Sequence, residues 1–89
     1  MGRCRYEKLE ALEPALEEIR KLELLKETKP GIFYLKSQGF LHFHEKEEKI
    51  WADVKTEKCW LPVDIPKKIT KKFLKDFVKT ITEHYENAL

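Results

Sequence analysis

The chain has 89 residues, of which 42% are hydrophobic and 38% charged, and its formal net charge at pH 7 is +2. That length allows one domain, residues 1–89, whose core is just large enough to fold without a metal or a disulfide. The small net charge gives no argument for nucleic acid, and apolar runs of a few residues are too short to cross a membrane. Cys4 and Cys59 match no zinc spacing and no signal-peptide pattern accompanies them, so we expect reduced thiols in a cytoplasmic protein.

Leucine and isoleucine recur at three- and four-residue steps near the start of the chain, at Leu9, Leu12, Leu16, Ile19 and Leu22. This spacing places them along one side of an amphipathic helix over about 9–27. Pro14 fits the first turn of a shorter helix or a kink in a longer one, and Lys29-Pro30-Gly31 predicts the end.

Between residues 32 and 63 the hydrophobic period changes to two, which is typical of strands. Four strands fit this pattern, at 32–36, 40–45, 50–55 and 59–63. The connecting loops are short enough to join only antiparallel neighbours, so we predict a meander.

The register of this sheet follows from its loops. Ser37-Gln38-Gly39 predicts a three-residue loop with Gly39 in the left-handed conformation, which pairs Leu35 with Leu41 and Phe33 with Phe43. Four-residue loops at 46–49 and 56–59 then pair Phe43 with Ala52 and Val54 with Leu61. Because strand side chains alternate, two faces result. Face A carries Phe33, Leu35, Leu41, Phe43, Ile50, Ala52, Val54, Leu61 and Val63; face B carries Tyr34, Lys36, Phe40, His42, His44, Trp51, Asp53, Lys55 and Trp60.

A second amphipathic helix is predicted over about 66–87, with Pro66 at its start or Thr70 as an alternative cap. Its apolar half carries Ile69, Phe73, Leu74, Phe77, Val78, Ile81 and Tyr85, and lysines occupy the other half. The order helix, meander, helix predicts an α+β fold, a two-layer sandwich with both helices on face A.

Histidine and aspartate on face B suggest a metal site. His42 and His44 point the same way, with Asp53 across from His42 and Trp51 across from His44. These three polar groups are a candidate site for zinc or another divalent ion, or for a small ligand, although no cofactor is expected. The alternative is that His42 and Asp53 form a hydrogen bond that satisfies two polar groups of the sheet.

Catalytic machinery is not recognisable in the sequence. Ser37 is the one serine and lies in a predicted turn, no second carboxylate flanks Asp53, and no glycine-rich phosphate loop exists. We therefore favour a non-catalytic protein over an enzyme.

The aromatic residues of face B, which are Tyr34, Phe40, Trp51 and Trp60, indicate a binding surface. Together they exceed the few hundred Å² of contiguous apolar area that monomers expose, so they should be covered. A homodimer is the favoured interpretation. The alternatives are another protein, a flat ligand, a nucleobase, or a fold-back of the N-terminal residues up to Leu12.

Single-stranded nucleic acid would need lysines beside those aromatic residues. The predicted lysine stripe of the last helix, however, lies on the far side of the molecule from face B. Nucleic-acid binding is therefore not favoured.

The stretch from Lys29 to Lys55, "KPGIFYLKSQGFLHFHEKEEKIWADVK", resembles a group of small uncharacterised bacterial and archaeal proteins with a G-x-F-Y…F-L-H-F-H-E…A-D signature. The resemblance implies no activity. The order of helix, meander and helix is also similar to the frataxin and YjbR type of fold, which is a likeness of architecture alone.

Overall fold

The computed structural model describes residues 9–89, and they form an antiparallel sheet of five strands with two helices. A 3₁₀ turn at Glu10–Leu12 leads into helix α1, Glu13–Arg20. The strands are β1 Leu25–Lys29, β2 Ile32–Leu35, β3 Gln38–Lys46, β4 Lys49–Lys55 and β5 Trp60–Ile65, and helix α2 is Lys71–Asn87. The strands lie side by side in chain order, so the predicted α+β class and meander are confirmed.

The first helix is shorter than predicted, and a fifth strand takes the place of its last part. Pro14 lies in the first turn of α1, and the chain leaves the helix after Arg20. Strand β1 then pairs Leu25 with Leu35. The prediction of a helix to residue 27 is wrong because Leu25 continues the helical spacing of buried residues, and its side chain is equally buried from a strand.

A turn at Pro30-Gly31 closes the β1–β2 hairpin instead of ending a helix. Gly31 has φ of +79°, and a Cβ there would lie 2.7 Å from Cδ1 of Leu9, so both conformation and space require glycine. Its N–H donates to Oε2 of Glu27 at 3.0 Å. Proline followed by a residue with positive φ is the usual composition of a tight turn of this kind.

One ion-pair network ties α1 to this hairpin. Nε of Arg20 donates to Oε1 of Glu27 at 2.6 Å, and the same guanidinium bonds Glu13 within the helix. Burial raises the pKa of Glu27, but the hydrogen bonds from Arg20 and Gly31 and the charge of Arg20 outweigh burial and lower the pKa below its ordinary value.

The β2–β3 hairpin differs from the predicted register. A two-residue turn, Lys36-Ser37, joins the strands with φ of 54° and 67°, whereas Gly39 is not left-handed. Such turns match the natural twist of a hairpin. Leu35 then pairs with Gln38, and an irregularity between Phe33 and Tyr34 restores the pairing of Phe33 with Leu41. The predicted pairs of Phe33 with Phe43 and of Leu35 with Leu41 are wrong.

This irregularity moves Phe40 from face B into the core. Tyr34 pairs with Gly39 and Phe33 with Leu41, so Phe40 is an extra residue on β3. A bulge of this kind breaks the strict alternation of side chains. Phe40 and Leu41 are both buried as a result, with exposed fractions of 1% and 0%. Phe40 is therefore not part of the exposed face that the sequence predicted.

The remaining register agrees with the prediction. Strand β3 pairs His42 with Asp53, Phe43 with Ala52 and His44 with Trp51. Strand β5 pairs Leu61 with Val54 but extends to Ile65, beyond the predicted end at residue 63. Cys59, where the prediction began this strand, lies before it in an exposed loop.

The last helix begins later than predicted. Oγ1 of Thr70 accepts a hydrogen bond from the Phe73 N–H at 3.1 Å and caps α2. Thr70, the alternative cap, is thus the N-cap of α2, and the predicted helix start at Pro66 is wrong.

Both helices contribute to one hydrophobic core with face A. The buried residues include Leu12, Leu16 and Ile19 before and in α1, Phe77 and Ile81 in α2, and Phe33, Phe43, Ala52 and Val54 in the sheet. Leu9 and Leu12 lie in this core, so residues 9–12 do not fold back over face B. Residues 1–8 of that predicted fold-back, and Cys4 with them, lie outside the described residues. Within residues 9–89 neither helix has the length and apolar character that a membrane span requires.

The position of Phe40 can be tested by truncation. We expect Phe40→Ala to lower the free energy of unfolding by about 3–5 kcal/mol, as is usual for a buried phenylalanine. Urea denaturation measures this change. The matched control is Tyr34→Ala, which removes a partly exposed ring from face B and should cost much less. A loss at Phe40 no larger than at Tyr34 would contradict the bulge.

Candidate functional site

Face B is the side of the sheet that neither described helix covers. The alternation that buries Phe43, Ala52 and Val54 turns the residues between them outward. The residues that the pairing adds to face B, and that the sequence analysis missed, include Lys26 beside Tyr34, Pro62 beside Asp53 and Asp64 beside Trp51. Lys26 was missed because β1 was predicted as part of a helix, and Asp64 because the predicted last strand ended at residue 63, two residues before the end of β5.

Aromatic rings form a continuous layer around His42 on this face. The centroid of the His42 ring lies 5.1 Å from that of Trp60, 6.1 Å from that of His44 and 6.3 Å from that of Tyr34. Tyr34 comes from β2, Trp60 from β5 and His44 from β3 itself. The layer therefore holds together by ring packing across the sheet.

Gly39 makes room for two of these rings. A Cβ at Gly39 would lie 3.0 Å from Nε2 of His42 and 3.4 Å from Cη2 of Trp60. Without a side chain there, the two rings lie against the backbone of β3 where it pairs with Tyr34. Glycine at this position thus lets the rings of His42 and Trp60 lie closer to the backbone of the sheet.

The carboxylate of Asp53 binds His44, not His42. Nε2 of His44 lies 3.0 Å from Oδ2 of Asp53, and the imidazole ring of His44 stacks on Trp51 with centroids 5.5 Å apart. His42 is the direct cross-strand neighbour of Asp53, yet the bond runs along the diagonal. The predicted hydrogen bond between His42 and Asp53 is wrong.

Nε2 of His42 is buried and has no hydrogen-bond partner among the described residues. Burial is the main cause that lowers the pKa of His42 from 6.5, and the nearby His44 lowers it further, whereas the charge of Asp53 opposes the shift. His42 is therefore a neutral ring of the aromatic layer at pH 7.

The three candidate metal ligands are not arranged as a metal site. Within residues 9–89 no group of three or more histidine, cysteine, aspartate or glutamate side chains could hold a metal ion. The sequence placed His42, His44 and Asp53 on one face correctly. Their side chains, however, are occupied by ring packing and by one diagonal bond.

Two aromatic side chains of face B are well exposed. Trp60 is 39% and Tyr34 36% exposed, and Trp51 is half-buried. Nζ of Lys55 lies 5.4 Å from the ring centroid of Trp60, over one face of the ring. Of the four predicted partner-binding residues, Tyr34, Trp51 and Trp60 are thus on face B, and Phe40 is not.

Comparison of the chain with models of protein families, with curated proteins and with solved structures finds no match. The resemblance to the group with the G-x-F-Y signature, and that to the frataxin and YjbR type of fold, remain predictions.

The lowered pKa of His42 predicts how stability depends on pH. In the unfolded chain the histidine pKa is about 6.5. Because the native pKa is lower, the unfolded state binds a proton first as pH falls. The contribution of neutral His42 to the free energy of unfolding is therefore fully present above pH 6.5, and it is lost as pH falls through the native pKa.

The test compares urea denaturation at pH 7.5 and 5.5, at one low protein concentration. We expect His42→Phe, which keeps a ring without a titrating nitrogen, to lose less stability on acidification than the parent. His84→Gln on α2 is the matched control and should lose as much as the parent. Equal losses in the parent and in His42→Phe would show that His42 does not carry this dependence.

Proposed function

We propose that the chain is a non-catalytic assembly module and that two copies associate through face B. The observation that carries the proposal is the exposure of Trp60 and Tyr34, beside the half-buried Trp51, on a sheet face without a helical layer in residues 9–89. Exposed aromatic surface of this kind marks interaction sites, and tryptophan and tyrosine dominate binding energy at interfaces.

A second copy is a suitable partner because face B carries charges of both signs. Lys26 and Lys55 lie on it with Asp53 and Asp64. A symmetric dimer places the same surface on both sides, so a face with mixed charges can complement itself. A polyanion would instead meet both carboxylates.

The lysines of α2 do not extend face B. Lys71, Lys72, Lys75 and Lys79 are exposed on a helix that packs on face A, in the other layer of the sandwich. Lys26 and Lys55 are thus the lysines beside the aromatic rings, and Asp53 and Asp64 share the face with them. Because these carboxylates would repel a phosphate backbone, the charges of face B support a protein partner over single-stranded nucleic acid.

The size of the face sets the expected strength of the dimer. Five strands about 4.8 Å apart and about 20 Å long form a surface on the order of 500 Å². Stable complexes bury about 800 Å² on each partner, and smaller interfaces are typical of reversible association. We therefore expect a dimer that dissociates on dilution.

Trp51→Arg tests the proposal. The substitution puts a charge among the aromatic rings of face B, so we expect the solution mass to fall from twice the chain mass of 10.7 kDa to the chain mass itself. Light scattering measures the mass over a range of concentrations, and circular dichroism should show unchanged helix content.

The matched control is Asn87→Arg, which adds the same charge at an exposed position of α2 and should leave the dimer intact. A parent chain that is monomeric at millimolar concentration would contradict the proposal. So would a Trp51→Arg variant that is folded and fully dimeric.

A further inference from the structure

We propose that a two-fold axis perpendicular to the strands relates the two copies, so that Lys55 of each pairs with Asp64 of the other. This inference rests on the face B dimer proposed above. It names the relative orientation of the subunits and the charges that set it.

Lys55 and Asp64 lie at opposite ends of the same two strands. Lys55 pairs with Trp60, Asp64 pairs with Trp51, and the pair of Asp53 and Pro62 lies between them. Four residues of strand separate the two ends, or about 13 Å. The β4–β5 half of face B therefore has a basic end and an acidic end, with a tryptophan at each.

A two-fold axis across the strands exchanges these ends. If it passes at the level of Asp53 and Pro62, β4 lies over β4 and β5 over β5 of the partner subunit, with the strands running in opposite directions. Lys55 then faces the end that carries Trp51 and Asp64, and the symmetry repeats the contact. Two pairs of opposite charge form, and near-parallel strand axes agree with the packing of two stacked sheets.

The observed position of the Lys55 ammonium group supports this orientation. Lys55 belongs to β4, but its Nζ lies over the ring of Trp60 on β5. In the proposed dimer the position of Asp64 on the partner subunit lies above Trp60. The ammonium group of Lys55 thus already lies over β5, the strand above which the Asp64 carboxylate of the other copy is placed. Lys55 can therefore keep its contact with the Trp60 ring while it forms the ion pair.

Asp53 lies closest to the proposed axis and would meet its own copy. Its Oδ2 is bonded to His44 at 3.0 Å, along the sheet rather than away from it. This bond offsets its charge before the second copy arrives. The carboxylate nearest the axis is therefore the one that already has a cationic or donor partner within its own subunit.

The other orientation, with the axis parallel to the strands, separates the charges. It lays β5 over β1 and β4 over β2, which places Trp60 over Lys26 and Lys55 over Tyr34 of the partner subunit. Lys55 and Asp64 then occupy different corners of the interface. Substitutions of these two residues therefore distinguish the two orientations.

The experiment uses Lys55→Glu and Asp64→Lys, each alone and mixed in equal amounts. Each single variant places two like charges together twice in its own dimer, and we expect the dissociation constant to rise at least about tenfold. In the mixture, one subunit contributes Glu at 55 and Asp at 64 and the other Lys at both positions. Both contacts between positions 55 and 64 of the mixed dimer are then attractive, so its dissociation constant should lie within about threefold of the parent value.

Sedimentation velocity measures these constants, and circular dichroism checks that each variant is folded. Lys26→Glu is the matched control, because it makes the same charge change on face B at the β1 edge. We expect it to change the dissociation constant less than about threefold. When it is mixed with Asp64→Lys, one of the two contacts still joins like charges, so the dissociation constant of the mixed dimer should not return to the parent value.

The outcomes separate the two proposals. A parent chain that never dimerises overturns the assembly surface and this orientation together. A dimeric parent whose Lys55→Glu variant dimerises equally well, or whose mixed variants show no recovery, overturns the orientation alone. Recovery to the parent value with Lys26→Glu in place of Lys55→Glu would also overturn it.

Discussion

The pairing of β3 with β4 holds Phe43, Ala52 and Val54 against the helices, and the same pairing turns His42 and Trp51 to the other side. A slip by one residue would reverse both faces, bringing histidine and aspartate into the core and phenylalanine into water. Burial of face A therefore maintains the register on which face B depends. Both described helices lie on face A, so the aromatic residues of face B have no helical layer over them within residues 9–89.

The aromatic rings of face B reduce their exposure to water by packing against each other. His42 lies between Tyr34 and Trp60, and Gly39 lets two of these rings rest on the backbone. The buried Nε2 of His42 remains without a partner within residues 9–89, which is tolerable because the ring is neutral when its pKa is lowered. Because the rings already pack against one another within one subunit, the proposed association would lose little side-chain entropy.

The sequence was sufficient to predict the class of fold and most of face B. Period-two alternation identified four of the five strands, and the loop at 46–49 set the pairing of His42 with Asp53 correctly. The fifth strand was not predictable from periodicity, because Leu25 fits the buried side of a helix as well as that of a strand. Pro30-Gly31 was the available signal for a hairpin at that point.

The misplacement of Phe40 on face B has a local origin. Gly39 was expected to adopt the left-handed conformation, but Lys36 and Ser37 adopt it, and a bulge at Phe40 takes up the difference. Non-glycine residues with positive φ are uncommon, so composition favoured the wrong turn. The diagonal bond from Asp53 to His44 depends on rotamers and ring stacking, which strand register alone does not determine.

Tryptophan fluorescence gives the most direct test of the account, because the chain has two tryptophans, Trp51 and Trp60, and both lie on face B. Emission and acrylamide quenching would be followed while the parent protein is diluted from millimolar to nanomolar concentration. If a second copy covers face B, emission shifts to longer wavelength and quenching increases over the concentration range in which the solution mass halves. Emission and quenching that stay constant across the whole dilution would contradict the covered face.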